Sequence, residues 1–561
     1  MELDSQAGSY QELCRSFRWQ VPERFNLAVD VCGRWAAERH RFALYYEDAS
    51  GFTSAHTFWD IQRQANRLSN VLAALGTLPG DRVAILLPQC PEAAIAQIAI
   101  CQMGALAVPL SPFLGPDSLE HRLGDAAAHL AIVDATTQPG VQGLRHRLPR
   151  LRHVLGVGSA AGPGIRPWDE VLEHASARYT PIVTAAGDPA MILYRRGTQG
   201  GARGALMAHR MLFGKLSAFV CAHDFFPQPR DMLWSPGQPA WAGDFWDALL
   251  PTWHFGMPLL AYNGPLDAVK VFALIEKYGI RNAVLWPTLL QRMMQRVADP
   301  GTVYDLDLRT LASVGEPVDP ALWHWARDKM GVAINGIFGP AGLPDLVGNW
   351  ASRWPASPGA VGRAYPGHRV AVIDAQGNAL PPGEVGELAV FRQYHAEDDP
   401  LPMLGYWRDP EATAEAVVGD GWVRTGESAT LDGEGNLFCQ RPADDTFASA
   451  GYRVDPSEIE TCLRAHAVVA NCAVIGRADE LGGTRPRAFV VLRPGVLGTP
   501  ELVRELQRHV GRYLAPYETP KAIEFTAALP LGASGEVLRG ALSTREMQPT
   551  ACTEGGMKGR Q

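Results

Sequence analysis

The chain reads as an α/β protein with three parts. A large N-terminal domain of parallel sheets sandwiched by helices carries a β-rich subdomain, and a small α+β domain follows it. Three observations predict this. Strand and helix patterns alternate through the first 350 residues. Short strands with tight turns replace them after about residue 355. A last unit of helices and strands begins near Asp444.

The alternation is clearest near the start. Arg82-Val-Ala-Ile-Leu-Leu-Pro88 is an unbroken apolar run after a Pro-Gly-Asp turn, the mark of a strand buried on both faces. A helix is predicted over Pro91–Met103, with Pro at its first position and Gly104 just past its end. His129-Leu-Ala-Ile-Val-Asp134 is a second buried strand. A β-α-β order of this kind places parallel strands in a sheet with both faces covered. Further on, Arg369–Asp374 and Gly386–Phe391 flank Gly377 and Pro381-Pro382-Gly383, which predicts antiparallel strands. The last unit shows a helix over Pro456–Leu463, strands over Asn471–Ile475 and Arg487–Leu492, and a long helix over Pro500–Leu514. The tail, Thr550 to Gln561, has no core-forming pattern.

Composition narrows the function classes. The 561 residues carry a formal net charge of -8, which argues against nucleic acid or an acidic membrane surface as the main partner. Nine cysteines lie scattered, with no C-x-x-C pair and no His/Cys cluster at metal spacing. The polar, acidic start lacks the apolar core of a signal peptide, and no apolar run is long enough to span a membrane. A cytoplasmic protein is expected.

Five segments carry the chemistry. Tyr194-Arg-Arg-Gly-Thr-Gln-Gly-Gly-Ala-Arg-Gly204 follows an apolar run. Glycines let backbone N–H groups approach phosphate oxygens, and three arginines add positive charge. It lacks the Gly-Lys-Ser/Thr ending of a P-loop, and an ordinary surface turn is the plain alternative. Leu233–Trp246 is rich in aromatic and turn residues; Trp241, Phe245 and Trp246 would wall an acyl pocket, or sit in a plain core. Ser313–Pro320 turns from strand to helix, Pro358–Arg369 is a glycine-rich loop, and Ala448–Glu460 turns into a helix.

In this order the segments resemble the adenylate-forming superfamily, and within it the medium-chain AMP-forming acyl-CoA synthetases. The match spans about residues 24 to 545. Arg195, Arg196, Gly197, Thr198, Gln199, Gly200, Arg203 and Gly204 occupy the phosphate loop of that family. Gly315, Glu316 and Pro317, with Phe338 and Gly339, resemble its adenine segment. Gly405 to Thr413 matches a further scaffold motif, and Glu427 in Thr425-Gly426-Glu427 stands at the ribose position. Gly451, Tyr452 and Arg453 match the coenzyme A motif, and Leu529 to Glu536 the final catalytic motif. The resemblance implies an AMP-binding N-terminal domain over 24–440, with its β-rich subdomain over about 355–437. It also implies an AMP-binding C-terminal domain over 445–545 that rotates on a hinge near 440–445, and a tail over 546–561. The implied cofactors are ATP/AMP, Mg²⁺ and CoA. The implied partner is a small-molecule carboxylic acid or its acyl-CoA.

The departures from the family fall on polar catalytic positions. Loop hydroxyls become Arg195 and Arg196, which either attract an anion or fill its space. The loop lysine becomes Arg203, which keeps charge but changes geometry. The Mg²⁺-binding glutamate falls at Gly342, so no metal ligand remains there, and Asp345 lies three residues on. The ribose aspartate becomes Glu427, one methylene longer. Spacing from both sides puts the arginine before the hinge at Pro442, with Arg441 one position early, and proline fixes φ there. The lysine that contacts the reacting carboxylate becomes Glu536. At about 4 Å and an effective dielectric near 20, each unit-charge pair is worth about 4 kcal/mol, so a sign reversal is worse than a deletion.

Two expectations follow. One is an ATP-dependent ligase, weak or altered, that activates a medium-chain or aromatic carboxylic acid. The other is a catalytically dead member that binds nucleotide, acyl-CoA or a protein partner. A third reading is different chemistry in the same cleft, built on Arg195, Arg196 and Glu536. An ion pair between Glu536 and one of those arginines is the plain alternative for both changes.

Overall fold

A computed structural model describes residues 3, 9–196, 202–237, 245–314, 318–339, 345–355, 357, 359–439, 447–449, 452–478, 484–530, 537, 539 and 542. The chain divides into two compact units, Met1–Ala443 and Asp444–Gln561.

The first unit is built on two large sheets. One runs, in spatial order, Gly405–Tyr406, Ala202–Ala208, Pro189–Arg196, Leu106–Pro109, Arg82–Leu86, Leu130–Val133, His153–Gly156 and Ile165–Pro167. From Pro189–Arg196 to Ile165–Pro167 the neighbours are parallel. The other sheet has a parallel centre from Ile334–Phe338 through Thr310–Val314, Asn282–Val284, Leu233–Trp234 and Leu259–Asn263 to Phe42–Asp48. Antiparallel strands finish both of its edges. The parallel interior agrees with the unbroken apolar runs. The antiparallel edges were not legible, because strands of two residues such as Val347–Gly348 carry no periodic signal.

The helix expected over Pro91–Met103 runs from Pro91 to Gln102, and every residue except Glu92 is buried. A helix apolar all round belongs inside a core. It does so here, in a cluster that joins Val83, Ile85 and Met191 of one sheet to Leu44, Leu233 and Leu259 of the other.

The β-rich part of this unit pairs Val370–Ile373 with Gly386–Phe391, and that strand with Trp422–Leu431, all antiparallel. The second unit is α+β. Its sheet orders Tyr452–Val454, Phe447–Ser449, Thr484–Leu492 and Val469–Ala478, with Ala522–Phe525 also on Thr484–Leu492. The helix Pro500–Tyr513 buries Leu502, Leu506 and Val510, one face at four-residue spacing. Its N-cap is Thr499, whose hydroxyl accepts from the Leu502 N–H.

Candidate active site

The glycine-rich segment is less of a loop than its composition suggests. Arg195 and Arg196 end the strand Pro189–Arg196, and Ala202 to Gly204 begin the next. The two strands pair antiparallel, with Arg195 opposite Arg203 and Arg196 opposite Ala202. Gly197, Thr198, Gln199 and Gly200 lie outside the described residues, as do the side chains of Arg195 and Arg196. The apolar run Ala190-Met-Ile192 is fully buried, which fixes the base of the strand pair.

Gly204 is required by close approach. A Cβ there would stand 2.7 Å from Ile192 Cγ2 and 3.3 Å from Trp407 Cβ. That gap admits the segment 405–413, whose first two residues form a further strand on the hairpin's edge, with Tyr406 opposite Ala205. The Trp407 N–H donates to the Gly204 carbonyl at 2.7 Å. This contact places Asp409 beside Arg203, with Nε to Oδ2 at 3.4 Å. The Arg203 guanidinium also lies 5.9 Å from the Tyr406 ring centroid. The family's loop cation is therefore engaged by a carboxylate. Asp409 was not singled out from sequence, since nothing in Gly405–Thr413 marks it as a partner.

Two parallel neighbours, Thr310–Val314 and Ile334–Phe338, carry the expected adenine segment on their C-terminal ends. Phe338 and Gly339 are described there, and the Leu346 N–H donates to the Phe338 carbonyl at 3.0 Å. Gly315, Glu316, Pro317 and Gly342 lie outside the described residues. Asp345 holds φ +67, a left-handed conformation. Burial pushes its carboxyl pKa up, and the positive charges of Lys215 and His368 oppose that rise.

Those two side chains belong to a buried polar group that sequence reasoning missed. Lys215 lies in the helix Met211–Ala222 and is 1% exposed. It forms an ion pair with Asp247 of the helix Phe245–His254. His368 Nδ1 stands 2.7 Å from Asp399 Oδ2, both side chains fully buried. Its Nε2 lies 3.0 Å from the carbonyl of Gly214, next in chain to Lys215. A Cβ on Gly214 would meet the Leu401 backbone at 2.6 Å, so the helix packs directly on residues 399–401. The signal was present in the sequence: one lysine inside Met-Leu-Phe-Gly-Lys-Leu-Ser-Ala-Phe-Val-Cys-Ala must be paired if that helix is buried.

Glu427 sits in the strand Trp422–Leu431 and is 8% exposed. Gly426 before it holds φ +77, where the pairing with Gly386–Phe391 shifts register. The Glu427 N–H donates to Thr425 Oγ1 at 3.1 Å, and that hydroxyl donates to the Leu388 carbonyl at 2.6 Å.

For the acyl pocket, Phe245 and Trp246 open the helix Phe245–His254, but their side chains and all of Trp241 lie outside the described residues. In the second unit, Tyr452 and Arg453 lie on a strand paired with Phe447–Ser449, Ala448 opposite Arg453. Gly451, Pro442 and Glu536 lie outside the described residues, and so do the side chains of Tyr452 and Arg453.

The sequence pattern of the AMP-binding enzyme family matches residues 33–407. The chain belongs to that family. The pattern of the AMP-binding enzyme C-terminal domain matches residues 458–536. Relatives span the full length. Acetyl-coenzyme A synthetase of Bacillus subtilis is 28% identical, over 98% of this chain and 96% of its own. Human mitochondrial acyl-coenzyme A synthetase ACSM3 is 27% identical, over 96% and 92%. The crystal structure of a Brucella canis acyl-CoA synthetase superimposes with a TM-score of 0.70 at 27% identity, covering 96% of this chain and 98% of that one. Kinship thus places the chain among the AMP-forming acyl-CoA synthetases of the adenylate-forming superfamily. Its large N-terminal and smaller C-terminal parts are those of that fold.

Whether the family's groups fit is a separate question. A Mg²⁺ ion takes one or two carboxylates plus phosphate oxygens and water. The family's carboxylate position is Gly342. Asp345 is the nearest acid after it in the sequence. Among the described residues, no three His, Cys, Asp or Glu side chains gather as a metal site. At position 342 itself, glycine has no side chain to offer a metal ion. No described helix is long and apolar enough to cross a membrane.

Proposed function

We propose that this protein keeps the acyl-CoA synthetase scaffold for binding a medium-chain or aromatic acyl ligand while its adenylation activity is lost or strongly reduced. One structural observation supports the reading. Asp345, the one acid among the described residues 338–355, is held at φ +67, and burial raises its carboxyl pKa while nearby positive charge on Lys215 opposes the rise.

Three sequence positions support it. Adenylation builds negative charge on the α-phosphate, and preorganised positive charge normally absorbs it. Glu536 puts an anion where the family places a lysine, Gly342 removes a carboxylate, and Pro442 removes an arginine. Arg203 retains positive charge in the phosphate segment, but Asp409 already partners it. Each loss alone lowers the rate, and together they act on one developing charge. Ligand recognition rests on different residues: Trp241, Phe245 and Trp246 for the acyl chain, and Gly451-Tyr452-Arg453 for coenzyme A, which matches the family motif.

The test pairs two measurements on the full chain. Pyrophosphate release with ATP and a panel of carboxylic acids is expected to fall several orders of magnitude below usual enzymatic turnover, about 1 to 1000 per second. Calorimetric titration with a medium-chain acyl-CoA is expected to show binding. Ordinary turnover would overturn the loss of chemistry, and no heat with acyl-CoA would overturn the ligand-binding role.

A further inference from the structure

A cleft of about 580 Å³ lies along the strand Ala202–Ala208 and the segment 403–417. Its walls combine the strand Ala202–Ala208, through Leu206, with the segment that follows it in the sheet, through Met403 and Tyr406, and with Val423 of the β-rich part. Clefts of this size, about 300–1000 Å³, suit small organic ligands. The motif residues taken for phosphate, adenine, ribose and coenzyme A do not line it.

Two arginines contribute to the lining, Arg392 and Arg408. Among the described residues neither is ion-paired to a carboxylate, whereas Asp409, which also lines the cleft, is committed to Arg203 and to the Ala412 N–H at 2.9 Å. The Arg408 guanidinium lies 5.1 Å from the Trp407 ring, and the residue holds φ +54 in a turn closed by a bridge between Tyr406 and Asp409. A non-glycine residue held at such a φ is strained, so the turn that presents it is fixed by its surroundings. Apolar walls beside two uncompensated guanidinium groups favour one kind of ligand. Its body is apolar, and its anionic end is planar enough for bidentate contact.

We propose that this cleft is a second binding site, for the carboxylate form of a medium-chain acid, separate from the expected acyl pocket at residues 241–246. The proposal goes beyond the adenylation scaffold and does not require turnover. The carboxylate pairs with Arg392 or Arg408, and the chain lies along Leu206, Met403, Tyr406 and Val423.

Photo-crosslinking of the full chain tests it. The probe is a medium-chain carboxylic acid with a diazirine near its chain end, and attachment sites are mapped by mass spectrometry. Labelling is expected on the strand Ala202–Ala208 and on residues 403–423. The double variant Arg392→Gln/Arg408→Gln should lower that labelling by about tenfold or more, since the charge-assisted contact is removed whichever arginine makes it. Ala414→Trp, at an exposed lining position, should block the cleft with the circular dichroism spectrum unchanged. Should Ala414→Trp fold poorly, the arginine pair, both exposed, still decides. Labelling confined to 241–246 would overturn the second site while leaving the acyl pocket standing. Equal labelling by the probe's methyl ester would show adventitious apolar adsorption only. Displacement by inorganic phosphate alone would show a general anion site. Any of these three results, or a double variant that labels like the unaltered chain, contradicts the proposal.

Discussion

Single side chains set two measurable properties. Lys215 is buried at 1% exposure against Asp247. Removing one member of a buried pair leaves an uncompensated charge, which costs about 3–5 kcal/mol. Lys215→Met is therefore expected to lower the urea midpoint sharply, and Lys215→Met/Asp247→Leu to regain most of the loss. A double variant no better than the single would show that the pair is not what Lys215 needs. The second property is acid sensitivity. The His209 pKa is pushed down to about 4 by burial, against the pull of Asp188, and its Nδ1 accepts from the Leu27 N–H at 3.2 Å. The His223 pKa is pushed down to about 3 by burial and then by Arg309. Both rings are neutral in the folded state, while in the unfolded chain they take up protons near pH 6.5. Their contribution is complete above that pH and is lost as pH falls from 6.5 toward 4 and 3. His209→Gln, which keeps an acceptor for Leu27, is expected to flatten the stability–pH slope in that window by about 1.4 kcal/mol per unit. An unchanged slope would contradict the assignment.

At the scale of elements, the phosphate hairpin and the segment 405–413 form one structural piece. Gly204 permits it, Trp407 is bonded to it, and Asp409 holds Arg203. Gly204→Ala would drive a methyl to 2.7 Å from Ile192, so about 1–3 kcal/mol of destabilisation is expected, of the kind that overpacking produces. Thermal melting checks this, and an unchanged midpoint would show that the strand edge yields freely. Sequence reasoning found the long, strongly patterned elements. Pro91–Gln102, Gly386–Phe391 and Pro500–Tyr513 lie within a residue or two of their expected limits, because each buries a face or a whole surface at a regular period. It did not find the two-residue strands or the union of the hairpin with 405–413, since neither is written in local periodicity. The motif positions were proposed from glycine and proline letters, and most of them, Gly342, Pro442 and Glu536 among them, lie outside the described residues. The buried group around Lys215 and His368 was not legible, because its members come from five distant segments and only folding brings them together.

Taken as a whole molecule, the chain retains the family's architecture across almost its full length, and the proposed losses concern polar positions on that scaffold. The relatives at 27–28% identity cover 96–98% of it, and the described residues of both units form buried apolar clusters. A scaffold can persist on packing alone, since hydrophobic burial is indifferent to which charged groups line a cleft. Adenylation cannot, since it depends on positive charge held where negative charge develops. The account's central claim is that Glu536, Gly342 and Pro442 remove that charge management together. Pyrophosphate release, measured for the unaltered chain and for Glu536→Lys with ATP and medium-chain and aromatic acids, tests it most directly. The account predicts turnover several orders of magnitude below 1 per second for both proteins, because the single reversal leaves Gly342 without a carboxylate. Ordinary turnover by the unaltered chain, or its full recovery in Glu536→Lys, would contradict the account.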